Sequence, residues 1–307
     1  MRKPKALKPG DTISLVSPAS PLCPEQTAKG IGILESAGYR VKLSPSVYAA
    51  AEYLAGSDEA RAKDVQEAFD DPETHAVFCS RGGYGCSRLM PLLDLDRMAS
   101  SRKLFSGFSD ITVLHAAMNR RGLATLHAPM ALTLHTDREP WVYESLQAAL
   151  GGRNPITDGA PKGSCLVGGR ARGQVVGGCL MLLCDLIGTP EQVVMDGKIV
   201  LLEDVDEAPH RVDAMLTHLI NSGSIQGAAG IVVGEMTRSD ERVDKTIGAR
   251  PWREIVGDRL GSLGIPTIID FPFGHAKQML SLPLGIQAEM DANLGTLKYT
   301  ESLCEQD

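Results

Sequence analysis

Hydrophobic and polar positions along the first half of this chain alternate between two periods. Thr12–Ser17 (TISLVS) is a short apolar run closed by Pro18, which predicts a strand. Glu25–Ala37 carries a helical spacing and is closed by Gly38. Tyr39–Leu43 reads as a second strand. Ser57 stands as an N-cap before a helix running through Phe69. Asp58 and Glu59 suit the positive end of its dipole, and Ala62, Val65, Ala68 and Phe69 fall on one face. Ala76–Cys79 and Leu104–Ser106 are further strands, each followed by a loop and then a helical pattern. Strands alternating with helices at this spacing predict βαβ units and a parallel sheet.

The texture changes over residues 151–172, a stretch rich in Gly, Pro and basic residues without periodicity, read here as a linker. It separates an N-terminal α/β domain, 1–150, from a C-terminal domain, 173–307. The second half predicts a helix near Cys179–Ile187, a strand Ile199–Leu202 and a helix Arg211–Ile220. Strands follow at Gly230–Val233 and Thr267–Ile269, then around Ile286–Met290 and Thr296–Tyr299. The expected class is α/β: an N-terminal parallel-sheet domain of Rossmann-like or flavodoxin-like kind, and a C-terminal domain of mixed α/β, strand-rich character.

Composition narrows the function classes. The 307 residues include 43% apolar types, enough for a sizeable core, so disorder and fibrous structure are not expected. With 31 Lys and Arg against 38 Asp and Glu the net charge is −7, and a mildly acidic chain without a basic stripe is not a nucleic-acid binder. The N-terminal residues supply no apolar signal-peptide core, and no run approaches the ~18 residues of a membrane span. Seven scattered cysteines, without CxxC or a zinc-like Cys/His spacing, read as free thiols in a reducing cytoplasm. No metal and no cofactor is expected.

In open α/β sheets the chemistry collects at the carboxyl ends of strands. The Ala76–Cys79 strand exits into Ser80-Arg81-Gly82-Gly83-Tyr84-Gly85, whose backbone N–H groups can cradle a phosphate or a developing oxyanion. Neither G-x-G-x-x-G nor a P-loop is satisfied, and a plain tight turn is the alternative. The Leu104–Ser106 strand exits into Gly107-Phe108-Ser109-Asp110, and a helical pattern Ile111–Asn119 follows. Ser109 is thus either a nucleophile on a strand-to-helix elbow or the N-cap of that helix. Position 111 is Ile, so G-x-S-x-G is not met.

Candidate bases are His75, His115, His127, His135, His210, His218 and His275. His275 follows an apolar strand and a Phe-Pro-Phe-Gly turn that can project an imidazole; His127, in Leu126-His127-Ala128-Pro129, is its main rival. Glu203 is the acid candidate, delivered by the apolar strand Ile199–Leu202. A solvated acidic loop with Asp204, Asp206 and Glu207 is the other reading.

These residues resemble the serine LD-carboxypeptidases, the murein tetrapeptide carboxypeptidases grouped with the microcin C self-immunity proteins. The resemblance spans nearly the whole chain. It rests on Pro9-Gly10-Asp11 with Ser17-Pro18-Ala19, on Tyr53–Asp58, on Arg81–Gly85 with Arg88–Asp94, and on Gly107–Thr112 (GFSDIT). Gly188-Thr189-Pro190, Glu203-Asp204 and Phe271–His275 complete the set. It implies Ser109 as nucleophile, His275 as general base and Glu203 as orienting acid, split across the two domains. It also implies an oxyanion hole from the backbone N–H of Asp110 and of Gly82 or Gly83. The implied reaction releases terminal D-Ala from a cytoplasmic murein tetrapeptide during peptidoglycan recycling, without metal, by a homodimer that engages neither nucleic acid nor membrane.

Ala128, Cys179 and His210 depart from the residues usual in that family, which bears on pocket shape, and Cys86 beside the glycine loop reads as a small packing residue, with a reactive thiol as the alternative. Two alternatives stand beside this reading. One is an amidase of microcin C-like peptidyl- or aminoacyl-nucleotides. The other is a non-catalytic protein binding an anionic small molecule in the Gly82–Gly85 cradle.

Overall fold

The computed structural model describes residues 1–305 except 136, 244, 245, 247 and 249. It comprises two compact units. One holds Met1–Thr157, Leu280–Gly285 and the residues from Ser302 onward; the other holds Asp158–Met279 and Ile286–Glu301.

The first unit opens with strand β1 (Thr12–Val16), whose five residues are all buried, as a strand covered on both faces must be. Helix α1 (Pro24–Ser36), strand β2 (Arg40–Leu43) and helix α2 (Asp58–Asp70) follow. The Ser57 Oγ accepts from the Ala60 amide at 3.2 Å, so the anticipated N-cap forms. Ala62, Val65, Ala68 and Phe69 of α2 are buried, and the Phe69 ring lies 5.7 Å from that of Phe105. Strand β3 (Ala76–Cys79), helix α3 (Leu95–Ser100), strand β4 (Leu104–Gly107), helix α4 (Thr112–Arg120), strand β5 (Thr125–His127) and helix α5 (Pro140–Leu150) complete the continuous part. Strands β2, β1, β3, β4 and β5 lie parallel in that spatial order.

The second unit contains strands β6 (Ser164–Val167) and β7 (Arg170–Cys179), helix α6 (Leu180–Asp185), strand β8 (Ile199–Val205), helix α7 (Pro209–Asn221), strand β9 (Gly230–Thr237), helix α8 (Trp252–Gly261) and strand β10 (Thr267–Ile269). Strand β11 (Leu282–Leu284) follows in sequence, then β12 (Gln287–Asp291) and β13 (Thr296–Tyr299). The seven-stranded sheet runs β13-β12-β7-β8-β9-β10-β6, parallel from β7 to β10 and antiparallel at both margins. Val176, Val200, Leu202, Val212, Leu216, Ile231, Val233 and Trp252 are among its core.

Two expectations on organisation are corrected. Residues 151–172 are not a structureless linker: they hold β6 and the first turn-free residues of β7. β6 is a short, half-exposed edge strand whose order comes from antiparallel pairing with β10, about 100 residues away, and nothing in its own pattern announces that partner. Nor does everything after residue 173 belong to the second unit. β11 pairs antiparallel with β5, Leu282 opposite His127 and Leu284 opposite Thr125, so it is the sixth strand of the first sheet. Pro283 is tolerated because the strand lies at the sheet margin.

Candidate active site

The carboxyl ends of β1, β3 and β4 place the first group of residues. Ser109 follows β4 in a left-handed backbone conformation, φ +66°, which a non-glycine residue adopts only when its surroundings over-determine it. It begins a short 3-10 turn, Ser109–Ile111, that runs into α4. Phe108, not Ser109, is the cap residue of that turn, and no side-chain cap bond forms there. The N-cap reading of Ser109 is therefore set aside, and the local geometry is that of a strained strand-to-helix elbow.

Several contacts hold this turn. The Gly107 carbonyl accepts from His115 Nε2 at 2.9 Å and from the Ala128 amide at 3.1 Å. A side chain at Gly107 would press on Ile111 at 2.9 Å. Asp110 is buried, and its Oδ2 accepts from the Cys86 amide at 2.8 Å, tying the elbow to the segment after the glycine loop. A Cβ built on Gly82 would stand 2.7 Å from Ser109 Cβ and 2.9 Å from its Oγ, with the Asp110 nitrogen at 3.3 Å. The absence of a side chain at Gly82 thus lets the β3 loop close against the serine. Gly83 faces elsewhere: its missing side chain makes room for the Ser20 hydroxyl, which accepts from the Tyr84 amide at 3.2 Å.

Arg61 was not among the sequence candidates. Fully buried on α2, it donates to the Pro18 carbonyl, to the Gly85 carbonyl at 3.0 Å and to Asp58, so one guanidinium links the β1 and β3 exit loops. Its spacing with Val65 and Ala68 puts a charge on the apolar face of the helix. That was the available signal.

Glu203 and His275 both belong to the second unit. Glu203 lies in β8, completely buried, and its Oε2 sits 2.7 Å from His275 Nδ1. Gly274, at φ +100°, permits this approach: a Cβ there would come within 2.7 Å of the Glu203 carboxylate. With Nδ1–H donating to Glu203, the basic lone pair of the ring resides on Nε2. Burial pushes the His275 pKa down, but the charge and hydrogen bond of Glu203 outweigh it and hold the imidazole above its ordinary value. Asp204 next door accepts from the Met181 and Val205 amides, both at 2.8 Å. Burial, and then the neighbouring Glu203 charge, raise its pKa to about 7.

The other histidines fall elsewhere. His127 is buried in β5 beneath the elbow, its ring 5.6 Å from that of Phe108. His115 is buried, and desolvation pulls its pKa down to about 3 despite the Gly107 carbonyl, so it stays a neutral donor. His75 accepts from the Thr12 amide through Nδ1, and His210 and His218 are exposed on α7. The side chain of His135 lies outside the described residues. Cys86 is buried, and desolvation holds its thiol well above the ordinary range, as befits a packing residue. Cys179 is likewise buried, opposite Glu203 in the β7–β8 register. Among the described residues no group of three or more His, Cys, Asp or Glu could hold a metal ion, and no helix is long and apolar enough to cross a membrane.

Comparison with known proteins identifies the family of the chain. Residues 13–128 match the model of the LD-carboxypeptidase N-terminal domain, and residues 172–290 that of the C-terminal domain. The chain is 40% identical, over 96% of its length and 95% of the relative's, to a Streptomyces coelicolor protein provisionally named a carboxypeptidase. It is 32% identical, over 92% of its length and 93% of the relative's, to the murein tetrapeptide carboxypeptidase of Pseudomonas aeruginosa. Among solved structures, the microcin self-immunity protein MccF in complex with glutamyl sulfamoyl guanosine shares the fold, with a TM-score of 0.87 at 22% identity over 99% of this chain and 100% of that one. With both of its domain models matched in order and relatives this similar over nearly its whole length, the chain belongs to the LD-carboxypeptidase family.

Proposed function

We propose that the protein is a serine LD-carboxypeptidase that releases the terminal D-Ala from murein tetrapeptide, with Ser109 as nucleophile, His275 as general base and Glu203 as the acid that orients it. The observation that carries the reading is the left-handed Ser109 on its β4–helix elbow, closed upon by Gly82. The Glu203–His275 pair, with the ring's Nε2 left basic, supplies the chemistry such a serine requires.

In this mechanism His275 takes the Oγ proton as Ser109 attacks the carbonyl of the L-centre, diaminopimelate or lysine, that precedes D-Ala. The oxyanion forms beside the Asp110 amide and the Gly82–Gly83 segment, where each aligned donor contributes ~10²–10³ in rate. His275 then protonates the departing D-Ala amine, and water, activated by the same ring, hydrolyses the acyl-enzyme. The setting we assign is the cytoplasm, with a homodimer acting on recycled wall peptide; the seven free thiols suit a reducing compartment.

The test is mass spectrometry of L-Ala–γ-D-Glu–meso-diaminopimelate–D-Ala after incubation with wild type and with Ser109→Ala. D-Ala release by wild type alone is the expected result. Release at equal rates by both would remove Ser109 from the mechanism. Release by neither would move the assignment to the nucleotide-conjugate amidase, assayed next on an aminoacyl sulfamoyl nucleoside.

A further inference from the structure

An exopeptidase must distinguish a chain end from an internal bond, and at a C-terminus the distinguishing group is a free carboxylate. A guanidinium close to the nucleophile is the side chain best suited to read it, through paired N–H···O bonds. Arg81 opens the β3 exit loop and immediately precedes Gly82. Its Nε donates to the Gly82 carbonyl at 3.1 Å and its Nη1 to the Pro21 carbonyl at 3.0 Å. These two carbonyls, one from its own loop and one from the β1 exit, fix the guanidinium at the same edge of the sheet as Ser109.

Among the described residues no acid neutralises this half-buried arginine, unlike those of the two ion-pair clusters. Asp58 serves both Arg61 and Arg88, and Asp206 serves both Arg238 and Arg242. Arg81 is half-buried, yet no carboxylate among the described residues pairs with it, and its Nη2 donates to none of them. Desolvation lowers its pKa with no acid raising it in return. A cation held in place by neutral carbonyls keeps its charge for an incoming anion.

The distances agree. Gly82 lies between the guanidinium and Ser109, and bond lengths together with the 3.1 Å hydrogen bond and the 2.9 Å between Ser109 Oγ and a Cβ built on Gly82 bound Arg81 Nε to within about 10 Å of Ser109 Oγ. A carboxylate carbon one residue beyond the attacked carbonyl stands roughly 3–4 Å from it, so a terminal carboxylate can reach a guanidinium in that range.

We propose that Arg81 is a specificity-determining residue that receives the terminal α-carboxylate of the peptide substrate. The proposal rests on the reading of Ser109 as nucleophile. The experiment compares the tetrapeptide acid with its C-terminal carboxamide for wild type, Arg81→Gln and Arg81→Lys. Wild type is expected to favour the acid by about 100-fold in kcat/KM, because the amide leaves the guanidinium without its anion. In Arg81→Gln the ratio collapses toward unity, mainly through KM for the acid, and Arg81→Lys restores part of it. Arg81→Gln that keeps the wild-type ratio, even at a lower rate on both peptides, shows a merely structural role and overturns the proposal. So does a wild type that does not discriminate acid from amide. A wild type inactive on both peptides removes the carboxypeptidase reading itself and the proposal with it, an outcome separable from the others by the wild-type rate alone.

Discussion

Glu203 is so deeply buried that its interaction with His275 carries more energy than an exposed pair would, and it controls the protonation of that ring. Removing the charge separates orientation from basicity. Glu203→Gln is expected to lower kcat by about 10³–10⁴, because the amide can still accept from Nδ1–H but no longer stabilises an imidazolium. The pH profile gives the sign. In wild type, kcat/KM is expected to rise as His275 loses its proton, with a midpoint above the ordinary 6.5. In Glu203→Gln burial acts with less opposition, so this limb moves to lower pH; a limb that stays or moves upward would count against the pairing. Linkage runs in the same sense: a raised folded-state pKa stabilises the fold below pH 6.5 and that contribution is lost as the pH climbs through the folded value. The positions of Glu203 and His275 were legible because each comes late in, or just after, a continuous apolar run. The importance of Arg61 was harder to see, since only its three-dimensional partners, the Pro18 and Gly85 carbonyls, explain a buried charge.

At the level of elements, the elbow after β4 and the glycine loop after β3 form one mechanical unit. Asp110 holds Cys86, Gly82 contacts Ser109, and His115 braces the Gly107 carbonyl from α4. Because His115 remains neutral down to about pH 3, that brace is unaffected by the titrations that govern His275. Gly82 has no positive φ, so an alanine there is compatible with the backbone and its cost falls on the contact with Ser109. Gly82→Ala is expected to reduce kcat about 100-fold while shifting Tm by only a few degrees, read by peptide hydrolysis and thermal melting together. Unchanged turnover would show that the loop does not need to close on the serine. The glycines themselves were conspicuous in the sequence, but which one meets the serine depends on loop dihedrals that composition does not encode.

The whole molecule departs most from what local pattern conveys. β1 to β4 and the helices between them follow from periodicity, since each satisfies its apolar face against neighbours close in sequence. β6 and β11 do not, because each pairs with a strand 100 or more residues distant and is too short to display a period. The first unit is consequently not a contiguous piece of chain. A fragment Met1–Thr157 lacks β11 and leaves the β5 edge unpaired, along with the sites that Leu303 and Cys304 fill. We expect this fragment to melt without a cooperative transition and to bind a hydrophobic dye. A sharp melt near the full-length Tm would show that the returning segments are dispensable.

The late return of β11 also sets an order in time. His127 leaves the ribosome about 150 residues ahead of Leu282, its cross-strand partner. At ~5–20 residues per second the outer edge of the sheet that carries Ser109 stays uncovered for roughly 10–30 s of synthesis. During that interval the nascent chain is a client for whatever shields exposed strand edges. A product terminated before Leu282 also lacks the sheet's last strand, so the sheet that carries the elbow is completed only when a segment about 150 residues beyond β5 returns to it.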